Sequence, residues 1–321
     1  MMTQCRRFFL CALAAAYGVL LVVTIQNPPA HAPFMQVLKN QRPFVTVKFQ
    51  GRLGNQLFQA AAAISLALDN NCDLLLPKKM LQWQKEDVGT TMQKILWRLP
   101  RSKISKRKLS QTYNQPVFSK YEPIPFHPNM RLSGYFESEK HFKHHKEVIV
   151  NLFSPSLEIT RYLYSHYKQI IEHPKSVAIH VRTFYRDYLK DGPHFYEAFP
   201  APDLTYFEKA LAFFGDDALF VVFSDHIDWC KKTFARFSKN FVFIENEAYY
   251  HDFYLISLCK HVITSNSTFS WWAAYLNPNP GKIILARTPW FYCKERPSED
   301  IIPADWICIE GDPHPPIPSF D

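Results

Sequence analysis

The sequence predicts an α/β protein built on parallel sheet. Two observations lead there. Short apolar runs alternate with helix-forming segments through the second half of the chain, and near residue 50 a strand pattern turns into a helix pattern across two glycines. Runs of three to five mostly apolar residues without a polar face suit strands buried on both sides. Their alternation with helices suits parallel pairing through crossovers.

The N-terminus is separate from that body. Arg6 and Arg7 precede Phe8 to Ile25, an uncharged apolar run. As a helix rising about 1.5 Å per residue, it nearly crosses a hydrocarbon layer of roughly 30 Å. The basic residues before it favour a cytosolic N-terminus, so the body would lie on the far side, as in a type II membrane protein. Ala30-His31-Ala32 also fits a signal-peptidase site, which leaves a cleaved signal peptide as the rival reading. The expected layout is a cytosolic tail at 1–7, a signal-anchor at 8–25, a Pro-rich stem at 26–42, a first domain at 43–176, a second at 177–312 and a loose Pro-rich tail at 313–321.

The body begins with Pro43 to Phe49, an alternating strand pattern. The turn Gly51-Arg52-Leu53-Gly54-Asn55 follows, then the helix former Ala60 to Leu68. Glycines at such a junction let a ligand approach the backbone, and free N–H groups at a helix start attract anions. The spacing is neither a Walker loop nor a dinucleotide fingerprint, so a plain tight turn stays open. The middle of the first domain is basic (Arg98, Arg101, Lys103, Lys106, Arg107, Lys108) and carries much of the net charge of +8. It reads as a solvated face or as a surface for anionic partners; nucleic acid does not suit a body outside the cytosol. His141, His144 and His145 read as the surface face of a helix, with no metal assigned.

In the second domain the strand runs are 177–181, 219–223, 241–244, 262–264 and 283–286. The helix candidates are 203–214, 229–237, 251–260 and 269–276. Ligands in parallel α/β sheets bind at the carboxyl ends of strands. That rule selects His180 and Arg182, then Ser224 and Asp225, then Ser265-Asn266-Ser267-Thr268. Each has a plain alternative: a core histidine for His180, a helix cap for Asp225, Ser267 or Thr268, and a glycosylation sequon for Asn266. Trp271 and Trp272 are expected to pack their helix on the sheet. Seven cysteines, with Cys5 and Cys11 in or beside the apolar segment, leave an odd five in the body, one disulfide plausible there and no zinc-type spacing.

At these positions the chain resembles the α-1,2-fucosyltransferases. GRLGNQLFQAA at 51–61, LSGYFESEKHF at 132–142, IHVR at 179–182, FSDHIDWCKK at 223–232 and SLCKHVITSNSTFSWWAAYLNPNP at 257–280 follow that family's motifs in order, the last in its bacterial style. The resemblance implies a GT-B-like fold, two Rossmann-type domains facing a cleft, with the acceptor side in the first and the GDP-fucose side in the second. It implies transfer of L-fucose from GDP-β-L-fucose to the 2-hydroxyl of a terminal galactose, with inversion. By the same analogy Arg182 contacts the diphosphate, Gly54 and Asn55 close on the donor, Asp225 reaches the nucleoside, and Ser267, Thr268 and Phe269 line the phosphate pocket, while His180 orients the loop or the phosphate. The family's second Arg is Thr183 here, and its expected Asp is Tyr185, with Arg186 and Asp187 following.

No D-x-D metal motif occurs, so the departing diphosphate is expected to rely on guanidinium and amides, without a cofactor or divalent ion. Inversion needs a base; Asp187 stands first, with Glu137 and Asp252 as alternatives. A Golgi membrane with the body lumenal is the favoured address, a bacterial envelope or secretion the fallback. One alternative keeps the chemistry and changes the acceptor, to another sugar or a protein hydroxyl; a non-catalytic, membrane-tethered nucleotide-sugar binder is the alternative in another class.

Overall fold

A computed structural model describes residues 42–76, 93–99, 107–117, 120–191, 201–291, 298–312 and 315–316. The expected anchor at 8–25, the stem, Arg101, Lys103, Lys106, Cys5, Cys11, Cys293 and most of the tail lie outside them. Among the described residues no helix is long and apolar enough to cross a membrane.

The first sheet contains β1 (Phe44–Val47), β2 (Asp73–Leu75), β3 (Gln111–Asn114) and β4 (Met130–Ser133) in the order β2-β1-β4-β3. Every pairing is parallel. β1 is buried along its whole length, as its Phe-Val-Thr-Val sequence demands. It feeds helix α1 (Leu53–Asp69), whose small-residue run Ala60 to Ala63 lies wholly in the core. The order reverses between β1 and β4, so the turn after β1 and the segment Gly134 to Glu137 after β4 emerge side by side.

Two short 3-10 turns, Glu139–His141 and Lys143–His145, lead into α2 (Lys146–Phe153) and α3 (Leu157–Glu172). Ser156 caps α3 by accepting from the Ile159 N–H. The expected histidine face is corrected here. His141 is buried between the rings of Tyr121 and Phe136, and burial holds its imidazole at about 4, whereas His144 is exposed. The basic middle is also partly structural: Arg98 donates to the backbone of Ser154 and Pro155, and Arg107 pairs with Asp73 at 2.9 Å.

The second sheet contains β5 (Ser176–Val181), β6 (Leu219–Ser224), β7 (Asn240–Phe243), β8 (His261–Ile263), β9 (Ile284–Thr288) and β10 (Ile307–Glu310). Their order is β10-β9-β8-β5-β6-β7, again parallel throughout. Helices α4 (Tyr185–Asp191), α5 (Leu204–Phe213), α6 (Ile227–Phe234), α7 (Tyr249–Leu258) and α8 (Thr268–Tyr275) intervene. With β5 as first strand, this is the doubly wound order, and it switches direction between β5 and β8. The core on one side joins Val177, Ile179 and Val181 to Tyr206, Phe207 and Trp229.

Trp271 and Trp272 do more than seat α8 on its own sheet. Phe58 of α1 lies 4.4 Å from Trp271 and 5.1 Å from Trp272, ring centre to ring centre, and Phe142 stacks on Trp272 at 5.3 Å. These rings are completely buried and join the two halves of the chain. The four described cysteines are free. No disulfide forms among them: Cys72, Cys230 and Cys259 are buried thiols, pushed up by burial to about 11, 12 and 12.

Candidate functional site

The switch point of the second sheet gathers the polar strand ends. His180 points from β5 to Ser265 beyond β8, sharing a hydrogen bond of 2.7 Å between Nδ1 and Oγ. Burial lowers its imidazole to about 4, so it stays neutral at physiological pH. Arg182 follows β5. Its Nη1 pairs with Asp225 Oδ2 at 3.0 Å, its Nη2 with Asp187 Oδ2 at 3.1 Å, and its guanidinium lies 4.7 Å from the Phe184 ring centre. A guanidinium held on two sides and stacked on a third is fixed in direction before any ligand arrives.

Thr183, standing where the resemblance anticipates a second Arg, is buried and braces this arrangement. Its backbone N–H and hydroxyl both donate to Asp225 Oδ1, at 2.7 and 3.0 Å, and its Oγ1 accepts from the Tyr185 N–H at the start of α4. Asp225, expected near the nucleoside, therefore holds Arg182 and Thr183. Asp187, ranked first as base, lies between two guanidinium groups: Arg52 Nη2 reaches its Oδ1 at 2.7 Å, across 135 positions of sequence.

The glycine turn meets the same place from the first half. Thr268 Oγ1 donates to Asn55 Oδ1 at 2.6 Å. A Cβ on Gly54 would lie 2.3 Å from the Thr268 carbonyl carbon, so only glycine lets α1 approach the start of α8 so closely. Gly51 has φ +72, the left-handed conformation its turn requires. Ser267 caps α8 by accepting from the Phe269 N–H, and Phe269 lies 5.4 Å from the His180 ring. Neither α1 nor α8 carries an acidic residue in its first turn. Two positive helix ends therefore converge with no anion of their own to neutralise them. Asn266 is not presented as a free sequon: its Nδ2 donates to the carbonyls of Pro289 and Trp290.

Sequence reasoning missed three residues. Arg52 lies inside the glycine motif but was not assigned a role. Arg287 at the end of β9 and Asp203 before α5 form a pair at 2.8 Å, with side chains 3% and 1% exposed. Both line a small cleft with Arg182, Tyr206 and Ser265. The available signal for Arg287 was a lone Arg directly after an apolar strand run. The two other base candidates belong to other segments. Glu137 is buried just after β4, and Asp252 on α7 sits near Glu247, where burial first and that carboxylate second push it up to about 8.

The model of glycosyl transferase family 11 matches residues 12–310. The chain belongs to that family. As a family 11 member it is a glycosyltransferase, similar to an α-1,2-colitosyltransferase of Escherichia coli (27% identical, covering 83% of this chain and 99% of the relative). It is also similar to galactoside α-(1,2)-fucosyltransferase 2 of Oryctolagus cuniculus (27% identical, 81% of this chain, 72% of the relative). Among solved structures, fucosyltransferase NodZ from Bradyrhizobium shares the fold of this family 11 chain, with a TM-score of 0.50, 14% identity and coverage of 74% and 94%.

Proposed function

We propose that the protein transfers L-fucose from GDP-β-L-fucose to the 2-hydroxyl of a terminal galactose, with inversion and without a metal ion. The observation that carries this is the convergence of two unneutralised helix starts beside Arg182. As GDP leaves, charge develops on the β-phosphate oxygen. A preset guanidinium and backbone N–H groups stabilise that charge without reorganising. The galactoside fucosyltransferases among the relatives support the acceptor and the linkage. In this reading the division near residue 176 separates an acceptor side from a donor side in a GT-B-like arrangement, with residues 8–25 as a type II anchor and the body in the Golgi lumen.

Neutral His180 and Ser265 position the phosphate. Asp225 and Thr183 hold the Arg182 side chain in its direction. Asp187 takes the acceptor proton by exchanging one guanidinium contact for the incoming hydroxyl, with Glu137 and Asp252 as the alternatives. A second reading differs in the donor sugar only: the colitosyltransferase relative is matched over nearly its whole length, so the 3-deoxy analogue of fucose is the competing donor.

The test is GDP release by the full-length protein with each donor over a panel of galactosides, with the product linkage determined. Arg182→Ala is expected to lose at least about 100-fold, the cost of removing one preset donor from developing charge. EDTA is expected to leave turnover intact. Undiminished release by Arg182→Ala, or turnover abolished by EDTA, overturns the assignment.

A further inference from the structure

At the far end of α1 from the glycine turn, three side chains from two distant segments converge on one point. Asp69 is the last residue of α1; His144 and His145 close the second 3-10 turn, 75 and 76 positions later. His145 Nε2 lies 2.7 Å from Asp69 Oδ1, and His144 Nε2 lies 3.0 and 3.1 Å from its two oxygens. Ser65 Oγ also meets His144 Nε2 at 3.1 Å. The three ligand atoms lie within 4.8 Å of one another and are open to solvent on one side.

We propose that Asp69, His144 and His145 form a binding site for a divalent transition-metal cation of the zinc class, remote from the transfer site. Two imidazoles and one carboxylate with an open fourth position make a donor set that Zn²⁺ accepts as a tetrahedron completed by water. Zinc–ligand bonds of about 2.0–2.1 Å place tetrahedral ligands roughly 3.4 Å apart. The observed 2.7–3.1 Å is a few tenths of an ångström tighter, and the partly exposed Asp69 and His144 side chains can swing by that amount.

The charge balance points the same way. Asp69 places a carboxylate at the negative end of a 17-residue helix whose last turn has no basic residue. The nearest lysines on the histidine segment are engaged elsewhere: Lys143 with Glu139 at 3.0 Å, and Lys146 over the Tyr275 ring. A bound dication supplies positive charge at this carboxylate, at the negative end of the helix. Because the ligands come from the end of α1 and the turn before α2, the cation ties these elements together. It binds the folded chain and not the unfolded one, so it stabilises the fold.

The experiment uses the full-length chain, stripped with EDTA and titrated at pH 7.5 with ZnCl₂ against a chromophoric chelator, alongside thermal unfolding. One zinc equivalent is expected in the parent and none of it in His144→Ala/His145→Ala, while transfer in EDTA is equal in both. Free zinc at about 100 times the dissociation constant should shift the parent's folding equilibrium about 100-fold and leave the variant's unmoved. As a check that needs no truncation, Co²⁺ should give the parent a visible d–d absorption that is lost in His145→Gln. Zinc stoichiometry unchanged in the double variant, or no zinc bound by the parent at this pH, overturns the proposal and leaves a plain carboxylate–imidazole contact.

Discussion

Gly54→Ala tests the geometry of the candidate site most directly. The added methyl would sit 2.3 Å from the Thr268 carbonyl carbon and 2.5 Å from its oxygen and Oγ1, so α1 and α8 must part by about 1 Å to restore ordinary contact. Overpacking of this kind costs about 1–3 kcal/mol. Loss of the 2.6 Å hydrogen bond between Thr268 and Asn55 adds about 1 kcal/mol. Alanine's better helix propensity returns about 1 kcal/mol, so the net destabilisation is about 1–3 kcal/mol. For a chain of this size that is a fall in Tm of roughly 2–10 °C. The catalytic effect should be larger, because a 1 Å misplacement of binding groups costs about 100-fold in rate. The assay is kcat/KM for GDP release at a temperature well below unfolding, beside a melting curve. Thr268→Ala should not rescue the variant, since two of the three clashing atoms are backbone. A variant with unchanged Tm and kcat/KM, or full rescue by Thr268→Ala, would refute the close-approach argument.

Two other perturbations follow from buried charge. Arg287→Met leaves the Asp203 carboxylate buried without its guanidinium and should destabilise by about 3–5 kcal/mol, read by chemical denaturation; a change below 1 kcal/mol would show the pair to be dispensable. His141 and His180 are both held near 4, below the ordinary value of about 6.5, so the unfolded chain binds protons first as pH falls. Each contributes stability that is complete above about pH 6.5 and is lost as pH drops toward 4, up to about 3 kcal/mol per residue. Denaturation of His141→Phe at pH 7, 5 and 4 should show a shallower loss than the parent; parallel losses would remove His141 from that account.

Legibility followed burial. β5, β6 and β8 were readable because strands covered on both faces must be continuously apolar, and α1 because a small-residue run follows a glycine turn. β3, with the sequence Gln-Thr-Tyr-Asn, and β10 were not, because edge strands need no apolar pattern. α2 and α3 lie in a stretch rich in charge and aromatics, where no strand alternation announced them. The disulfide expectation met a different limit: spacing says nothing of distance, and of the four described thiols, all free, three are buried and Cys308 is exposed.

The chain alone determined which strand ends carry polar groups, since periodicity records burial and the carboxyl ends of parallel strands are where polar residues interrupt it. Only the tertiary structure decided their partners: Arg52 with Asp187, Asn55 with Thr268 across 213 positions, and Asp69 with two histidines. Local pattern encodes the face a residue presents. Sheet order and helix approach decide which distant face it meets, and at Gly54 that approach depends on a missing methyl group.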